Sequence, residues 1–482
     1  MDLQIDVSTG LVDFISEEKN LFSHGIKVRS KGLNLLVGAG VGGTSLVYNT
    51  ITLQPNREDF DTIFDRSFYG SSFGDTFFGT YYPRAKQVLN PSPIPADILA
   101  TSFYNGSREY RDQAIKAGYP LKHSPAERSL FPMPLATDWD VVRGELAGTK
   151  VSSAIEGQVW FGSNSDYKHH LVKSDNYLGQ ALASGLITLR DLSEVIEITY
   201  DSSAQVYVLS VNSLRESDGI VLTTYNITAK HLFLCAGAVY TTALLVRARD
   251  KGDLPTLSPQ IGQNFGGNGD GFGALLVGKD ISAGQGGPAG FAVYDFDANG
   301  KRVSLQDLPI SFTAGFDTFP NTAKALLTMG QIQNPLGNFT YIAAEDTVEI
   351  RYDPQAGQIA YNKWIDVADK FVASNPGTTN GFGTLEATDL ISGHPLGGVV
   401  YREATDAKCR VLGAPGRLYA IDGSLIPGWA GGINPSLTIA AFSEFCIDRI
   451  ITADFSAAAS LSLPWIFIGL PLLIEIACLG LD

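Results

Sequence analysis

Runs of apolar residues alternate with amphipathic stretches along this chain of 482 residues. Residues 230–236 (KHLFLCA) are continuously apolar after their first two positions, which predicts a buried parallel strand. Gly237 ends that strand, and residues 241–249 have helical spacing with basic residues in the last turns. A further amphipathic helix is expected over residues 436–451. Strand followed by helix is typical of a parallel sheet covered by helices.

Alternation of apolar and polar positions dominates other parts of the chain. Residues 186–211 combine β-branched residues with turn dipeptides, and residues 272–392 return to the same strand-like alternation. Both stretches predict antiparallel sheet. Residues 57–78, by contrast, have helical character. Because the two kinds of pattern interleave, neither domain is expected to be continuous in sequence.

The interleaving predicts an α/β domain made of three pieces and an inserted α+β domain built on an antiparallel sheet. The chain is long enough for two domains with a substantial core. The expected pieces of the α/β domain are residues 1–95, 225–275 and 405–455, those of the inserted domain are residues 96–224 and 276–404, and residues 456–482 form an apolar tail.

Charge and cysteine usage narrow the class of ligand. The net charge is −15, with a sequence pI near 4.9, so nucleic acid and anionic lipid surfaces would be repelled and a neutral or apolar ligand is expected. The four cysteines contain no CxxC spacing. Cys235 and Cys446 lie in apolar runs and are expected to be buried free thiols, without a disulfide framework or a metal site.

The two ends of the chain bear on its location. Residues 461–481 are almost wholly apolar and long enough to span a bilayer, but Pro464, Pro471 and Glu475 interrupt them. A packed or disordered extension is therefore favoured, and weak membrane association through this tail stays open. The first fifteen residues carry acids where a secretion signal has a basic head. A cytoplasmic or membrane-associated location is expected.

Gly38, Gly40 and Gly43 satisfy the GxGxxG spacing of dinucleotide-binding loops. That fingerprint requires an amphipathic helix to follow, whereas residues 44–53 alternate and are β-branched. The spacing is therefore weak as a dinucleotide fingerprint. It better fits a glycine loop that lets the backbone lie against a flat cofactor.

Three motifs near the end of the chain carry candidate chemistry: residues 394–398 (HPLGG), 422–428 (DGSLIPG) and 433–435 (INP). They supply one imidazole, one acid before a glycine turn, and one carboxamide before a proline. A neutral imidazole can accept the proton of an alcohol near working pH. Structural roles are also open for each motif: a turn histidine, an Asp-Gly turn and an Asx-type helix cap.

In series, these motifs resemble the C-terminal signature of the glucose-methanol-choline (GMC) flavoprotein oxidoreductases, most closely their bacterial cholesterol oxidase branch. The resemblance covers most of residues 30–455, including residues 40–47 (GVGGTSLV) and 232–237 (LFLCAG). It implies an α/β FAD-binding domain and FAD as the cofactor. It also implies oxidation of a sterol-like alcohol, such as a 3β-hydroxysteroid, to the ketone, with hydride transfer to flavin N5 and oxygen as acceptor. A GMC dehydrogenase with a quinone-type acceptor is the alternative activity.

The resemblance also implies roles for single residues. His394 and Asn434 would hold the substrate hydroxyl. Asp317 would carry a proton for isomerisation in place of a family glutamate, although a surface-loop aspartate is an almost equal interpretation. The residues expected on the flavin side are Gly40, Gly42, Gly43, Ser45, Asn49, Asp422, Gly423, Asn434 and Pro435.

Members of the family begin with a strand, a GxGxxG loop and a helix that together bind the ADP half of FAD. No such unit is found before Lys31, so the FAD-binding domain is expected to be incomplete at its N-terminus. Three explanations stay open: a truncated oxidase, which is favoured, a split protein completed by another chain, and a flavin-free pseudoenzyme.

Overall fold

The computed structural model describes residues 11–16, 26–156, 166–216, 219–281, 286–287, 289–309, 321–332, 337–381 and 391–455. Asp317 and the apolar tail, residues 456–482, lie outside the described residues, so the expectations for both stay predictions. In the described ranges the chain forms short strands in several small sheets, one larger antiparallel sheet, and helices that pack against them.

The strands of the described chain are β1 Leu11–Ile15, β2 Lys27–Lys31, β3 Asn34–Ala39, β4 Ser129–Pro132, β5 Ser193–Asp201, β6 Val206–Leu214, β7 Val221–Ala229, β8 His231–Leu234, β9 Gln263–Gly266, β10 Asp270–Leu276, β11 Phe291–Phe296, β12 Arg302–Asp307, β13 Ala323–Gly330, β14 Asn338–Ile342, β15 Thr347–Arg351, β16 Thr379–Asn380, β17 Ile391–Ser392, β18 Leu396–Gly398 and β19 Arg417–Ala420.

The α-helices are α1 Arg57–Ile63, α2 Arg66–Tyr69, α3 Phe73–Thr76, α4 Tyr82–Leu89, α5 Ala96–Leu99, α6 Asn105–Lys116, α7 Trp139–Leu146, α8 Tyr177–Ala183, α9 Gly237–Lys251, α10 Pro354–Ser374 and α11 Ser436–Ile450. A π-helical turn, Phe77–Tyr81, joins α3 to α4. The helical character expected for residues 57–78 is confirmed as a series of short helices, since turns at Asp65 and Gly70 break it.

The expected parallel pair is present. Strand β8 pairs in parallel with β19 over four residues, Leu232 facing Leu418 in register, and α9 follows β8 directly. All but the ends of α9 are buried, which explains why residues 238–248 are apolar or small almost throughout. The strand and helix expected over residues 230–249 are therefore confirmed, and so is the terminal helix, as α11.

The largest sheet is antiparallel and has the strand order β16-β10-β13-β12-β11-β4. Helix α10 covers one of its faces: the Trp364 indole lies where a side chain on Gly271 of β10 would stand, 1.9 Å from the position of a Cβ atom there. Helix α6 joins it, with the Tyr110 ring 5.5 Å from that of Phe371. Strand-like alternation over residues 272–392 did not predict the 21-residue helix α10, which begins directly after the Asp353 cap.

The interpretation of Cys446 as a free thiol is wrong. Cys446 of α11 forms a disulfide with Cys409, and the two Cα atoms lie 5.8 Å apart although the residues are 37 positions apart in sequence. Cys409 adopts a positive φ of 59° in the buried turn before β19, a placement that no spacing rule predicts. Cys235 is buried and keeps its thiol, as expected.

The disulfide leads to a stability prediction. Replacing Cys446 by Ala should lower the free energy of unfolding by about 2–4 kcal/mol, because the unfolded chain regains the freedom of a long loop. Urea denaturation of the oxidised protein measures the loss, and reduction should bring the parent chain close to the variant. Cys235→Ala is the matched control, since Cys235 is not in the disulfide and its replacement should change the stability by the same amount with and without reductant. A reductant-insensitive parent chain would contradict the bridge.

Candidate functional site

His394 lies in the short connection between two paired strands. Strand β17 ends two residues before it and pairs with β3, and β18 begins two residues after it and pairs with β9. The glycines of the HPLGG motif allow this close approach. A Cβ atom on Gly397, whose φ is +86°, would lie 2.0 Å from the Asn264 carbonyl oxygen of β9. The motif therefore lets β18 pack closely against β9, which fixes the backbone position of His394.

A buried carboxylate orients the His394 ring. Asp270, the first residue of β10, places its Oδ2 atom 2.7 Å from Nδ1 of His394. The same oxygen accepts from the Gly393 backbone N–H at 3.1 Å and lies 3.1 Å from the Ser392 hydroxyl. A carboxylate can only accept at this position, so Nδ1 carries a proton and Nε2 of a neutral ring is left as the acceptor.

The carboxamide of Asn434 faces that second nitrogen. Its Nδ2 atom lies 3.3 Å from Nε2 of His394. Its Oδ1 atom is buried and has no hydrogen-bond partner in the described chain. The pair thus presents one acceptor and one amide group on neighbouring positions, and part of the amide is free to bind something else.

The loop that carries Asn434 is held at both ends by one asparagine. Asn268 accepts at Oδ1 from the Ala430 backbone N–H at 2.8 Å and donates from Nδ2 to the Ile433 carbonyl at 2.9 Å. Asn268 has a positive φ of 57°, which asparagine tolerates better than most residues. This turn stands directly before Asp270, so one short segment positions both His394 and Asn434.

A buried ion pair supports the same loop from the other side. Arg302 is fully buried between the rings of Tyr294 and Phe296, each 4.1 Å from its guanidinium carbon. Its Nε atom lies 3.1 Å from Asp59 of α1, and burial raises the pKa of Asp59 against the opposing effect of Arg302. Tyr294 donates to the carbonyl of Gly431 in the loop.

The glycine loop after β3 leads into a short 3-10 helix, Gly43–Leu46, and not into the α-helix that a dinucleotide fingerprint requires, as the sequence indicates. Gly40, Gly42 and Gly43 have φ values of 136°, 108° and 56°. Ser45 donates to the Gly42 carbonyl, and its oxygen accepts from the Leu171 backbone N–H at 3.0 Å. These bonds hold the backbone of the glycine loop in place.

The segments that carry Asn49 and Asn434 are joined by a hydrogen bond. The Ser436 hydroxyl donates to the Ile51 carbonyl at 2.9 Å, and these two residues follow Asn434 and Asn49 by two positions each. The Oδ1 atom of Asn49 is buried and finds no partner within the described ranges. Tyr48, in contrast, directs its hydroxyl to the His169 carbonyl at 3.3 Å.

Asp422 lies at the end of β19, where it meets the N-terminus of α9. Its Oδ2 atom accepts from the Thr241 hydroxyl at 2.5 Å and its Oδ1 atom from the Ser424 backbone N–H at 2.9 Å. Burial raises the pKa of Asp422. A Cβ atom on Gly423 would be 3.3 Å from Leu396, so this turn packs on the HPLGG segment. Pro435 then directly precedes α11 as its cap.

The structure therefore brings His394 and Asn434 together, with Asn49 nearby and the Asp422 turn behind them. Sequence reasoning missed Asp270, Asn268 and Tyr294. The 124 residues between Asp270 and His394 leave no spacing signal for their contact. The hint in the sequence is the Asn-Gly dipeptide at residues 268–269, which favours a turn but assigns no role to its neighbours.

The described ranges contain neither a metal-binding cluster nor a helix that could span a membrane. Within those ranges no group of three or more His, Cys, Asp or Glu side chains is placed to hold a metal ion. In the same residues no helix has both the length and the apolar character needed to cross a bilayer.

Two of three comparisons with known proteins find similar sequences or folds. No protein-family model matches the chain. The chain is 25% identical over 477 residues to the cholesterol oxidase of Mycobacterium tuberculosis (strain H37Rv), a match that spans 86% of this chain and 78% of the relative. Its fold is similar to pyridoxine 4-oxidase from Mesorbium loti, at a TM-score of 0.57 and 17% identity over 92% of this chain and 88% of that one. It is also similar to a formate oxidase from Aspergillus oryzae RIB40, with a TM-score of 0.59 and 14% identity over 93% and 88% of the two chains.

A buried lysine packs under the glycine loop. Lys168 is almost fully buried and donates from Nζ to the Leu46 carbonyl at 3.0 Å. Burial lowers the pKa of Lys168 from 10.5 to about 7. Since the unfolded chain binds the proton more tightly, it carries more protons than the folded chain between about pH 7 and pH 10.5. The contribution of Lys168 to the free energy of unfolding must therefore rise with pH across this window.

We expect Lys168→Met to remove this pH dependence. The difference in the free energy of unfolding, parent minus variant, should increase from pH 7 to pH 9 by up to about 1.4 kcal/mol per pH unit. Urea denaturation at several pH values measures it, with the exposed Lys122→Met as control. A difference that is constant over this window would show that Lys168 keeps an ordinary pKa in the fold.

Proposed function

This chain belongs to the glucose-methanol-choline flavoprotein oxidoreductases, and we propose that it oxidises the hydroxyl group of a sterol-like alcohol to a ketone. The family rests on the match to a cholesterol oxidase over 86% of the chain, together with the fold and the C-terminal motifs. The chain is accordingly an FAD-dependent oxidoreductase that acts on alcohols. The observation that carries the proposal is the aligned set of Asp270, His394 and Asn434.

The residues present fit the flavin end of FAD. Polar atoms that are buried without a partner in the described chain gather on the segments around His394 and would suit the hydrogen-bonding edge of a flavin ring. They are Asn49 Oδ1, Ser424 Oγ, Trp429 Nε1 and Asn434 Oδ1. We propose that the glycine loop holds the flat face of the ring at Gly40 and Gly43, whose positive φ values let the backbone turn there, while Gly42 packs against Val172 and Leu46. Ser45 and the Asp422-Gly423 turn support it, and Pro435 fixes the start of α11 behind Asn434.

A bound flavin would supply a two-electron acceptor for the hydrogen that leaves the alcohol carbon as hydride. The protein side of the reaction is proton transfer and orientation. The Nε2 atom of His394 accepts the hydroxyl proton, because Asp270 holds the proton of the other ring nitrogen. The amide N–H of Asn434 donates to the hydroxyl oxygen, which takes the place between the two side chains. The carboxylate of Asp270 then stabilises the positively charged ring.

Several features support a sterol-like substrate. One face of the six-stranded sheet carries a cluster of Phe272, Ala325, Leu327 and Met329 close to Asp270. The net charge of −15 disfavours anionic substrates. The relative that matches 86% of this chain is named a cholesterol oxidase. Proton transfer by Asp317 for isomerisation, and oxygen rather than a quinone as acceptor, stay part of the proposal.

The first prediction for the reaction concerns the two central side chains. His394→Ala and Asn434→Ala should each lower kcat by roughly 10²–10⁴-fold, because each removes a group that holds the hydroxyl. Peroxide release from a 3β-hydroxysteroid, with and without an artificial quinone acceptor, measures the loss and identifies the acceptor. Bound FAD, read from the visible spectrum, should stay near the parent level in His394→Ala, whose side chain is not assigned to the cofactor. His123→Ala, at an exposed histidine, is the control, and an active His394→Ala enzyme would overturn the proposal.

Asp270 is proposed to act as a positioning residue through His394. Asp270→Asn should lower kcat by roughly 10–10³-fold, since a carboxamide can turn its N–H groups toward Nδ1 and no longer holds the ring in the tautomer whose Nε2 atom accepts. Asp270→Glu, which keeps the carboxylate, should restore part of kcat at an unchanged content of bound FAD. A variant that loses kcat and bound FAD together would instead indicate a purely structural carboxylate.

A further inference from the structure

The two faces of the six-stranded sheet differ in what covers them. Residues that face each other across antiparallel strands point to the same side, and Gly271, Thr328 and Leu305 form one such row on the side of α10. The opposite side, which we call the His394 face, carries Asp270, Met329, Ser304 and Tyr294 in one row. The next row of the His394 face is Phe272, Leu327, Gln306 and Ala292.

Gln306 is the unexpected residue on this face. It has 0% exposure in the central strand β12, and both its Nε2 and Oε1 atoms are without a hydrogen-bond partner in the described chain. Ser304, two residues earlier on the same side, is likewise buried with an unpaired hydroxyl. An unpaired buried amide costs about 1–3 kcal/mol. A methionine or leucine would fill the same space without this cost, so stability does not explain a glutamine here.

The position of Gln306 relative to the reacting group is fixed by the sheet. Two strand spacings separate β10 from β12, and two residues along the strands separate the two rows. With about 4.8 Å between strands and about 3.4 Å per residue, the Cα atoms of Asp270 and Gln306 lie about 12 Å apart. Asp270 is hydrogen-bonded to His394, whereas the side chains that separate Asp270 from Gln306 on this face are apolar: Met329 in the first row and Phe272 and Leu327 in the second. The His394 face therefore has a proton acceptor at one end, an apolar middle and an unpaired amide at the other.

We infer that Gln306 binds a second polar group of the substrate, at the end opposite to the hydroxyl that is oxidised. This inference rests on the proposed function and makes it narrower. The substrate class is a rigid, fused-ring alcohol that carries a ketone or hydroxyl at its far end, rather than a sterol with a hydrocarbon tail. The amide N–H donates to a carbonyl there, and the amide oxygen accepts from a hydroxyl. A site built to hydrogen-bond such a group discriminates strongly against the analogue without it, because the amide is then left unpaired.

The test compares two steroids that differ at one position. Epiandrosterone has the hydroxyl to be oxidised at one end and a ketone at the other, and its 17-deoxy analogue lacks the ketone. For the FAD-loaded parent enzyme we expect kcat/KM for epiandrosterone to exceed that for the analogue by 10-fold or more. Gln306→Met and Gln306→Leu should bring this ratio close to one, through loss of activity on the ketone substrate. Two variants of different shape guard against one that fails to fold.

Thr328→Val is the matched control. Thr328 is also fully buried in the same sheet with an unpaired hydroxyl, but it points to the side of α10. This variant should keep the substrate ratio of the parent. A parent enzyme that oxidises both steroids equally well, or folded Gln306 variants that keep the preference, would overturn the inference and leave the sterol oxidase proposal standing. If the FAD-loaded parent oxidises neither steroid, the sterol proposal fails, and the role of Gln306 fails with it.

Discussion

The side-chain amide of Asn268 is the contact on which the site depends most. It binds Ala430 and Ile433, which are 162 and 165 residues away in sequence, and so fixes the loop that ends at Asn434. Asp270, two residues later, fixes His394. One turn therefore sets the positions of two side chains that come from separate parts of the chain. Since an amide bound by backbone groups on both sides has little freedom, the separation of His394 and Asn434 is set before any ligand arrives.

A buried ion pair stabilises the elements around this site. Arg302 is enclosed by two aromatic rings and bound to Asp59, which connects α1 to the six-stranded sheet. Breaking such a pair leaves a buried charge without compensation, typically at about 3–5 kcal/mol. Tyr294 extends the pair to Gly431. Buried polar atoms without a partner in the described chain occur elsewhere as well, for example on Thr328, so the assignment of Asn49, Asn434 and Gln306 to ligands rests on their positions near His394 or on its sheet face.

Local sequence patterns predicted the structure correctly where the residues of one segment by themselves decide its conformation. The strand and helix over residues 230–249, the terminal helix and the lack of an α-helix directly after the glycine loop all follow from apolar runs, periodicity and Gly placement. Helix α10 was missed, because its surroundings alternate like strands and only its Asp-Pro start signals a helix. The disulfide was missed because Cys409 reaches Cys446 through a turn with positive φ, which no sequence spacing encodes.

The sequence by itself indicated the family, the proposed chemistry and the candidate residues His394 and Asn434, because these residues stand in short motifs that can be recognised without the fold. Only the tertiary structure shows which distant residues contact or share a surface with these two side chains. Asp270 meets His394 across 124 positions, and Gln306 shares a sheet face with Asp270 through the register of three strands. Contacts of this kind arise from strand pairing and packing between distant segments, and a linear pattern of residue types carries no record of them.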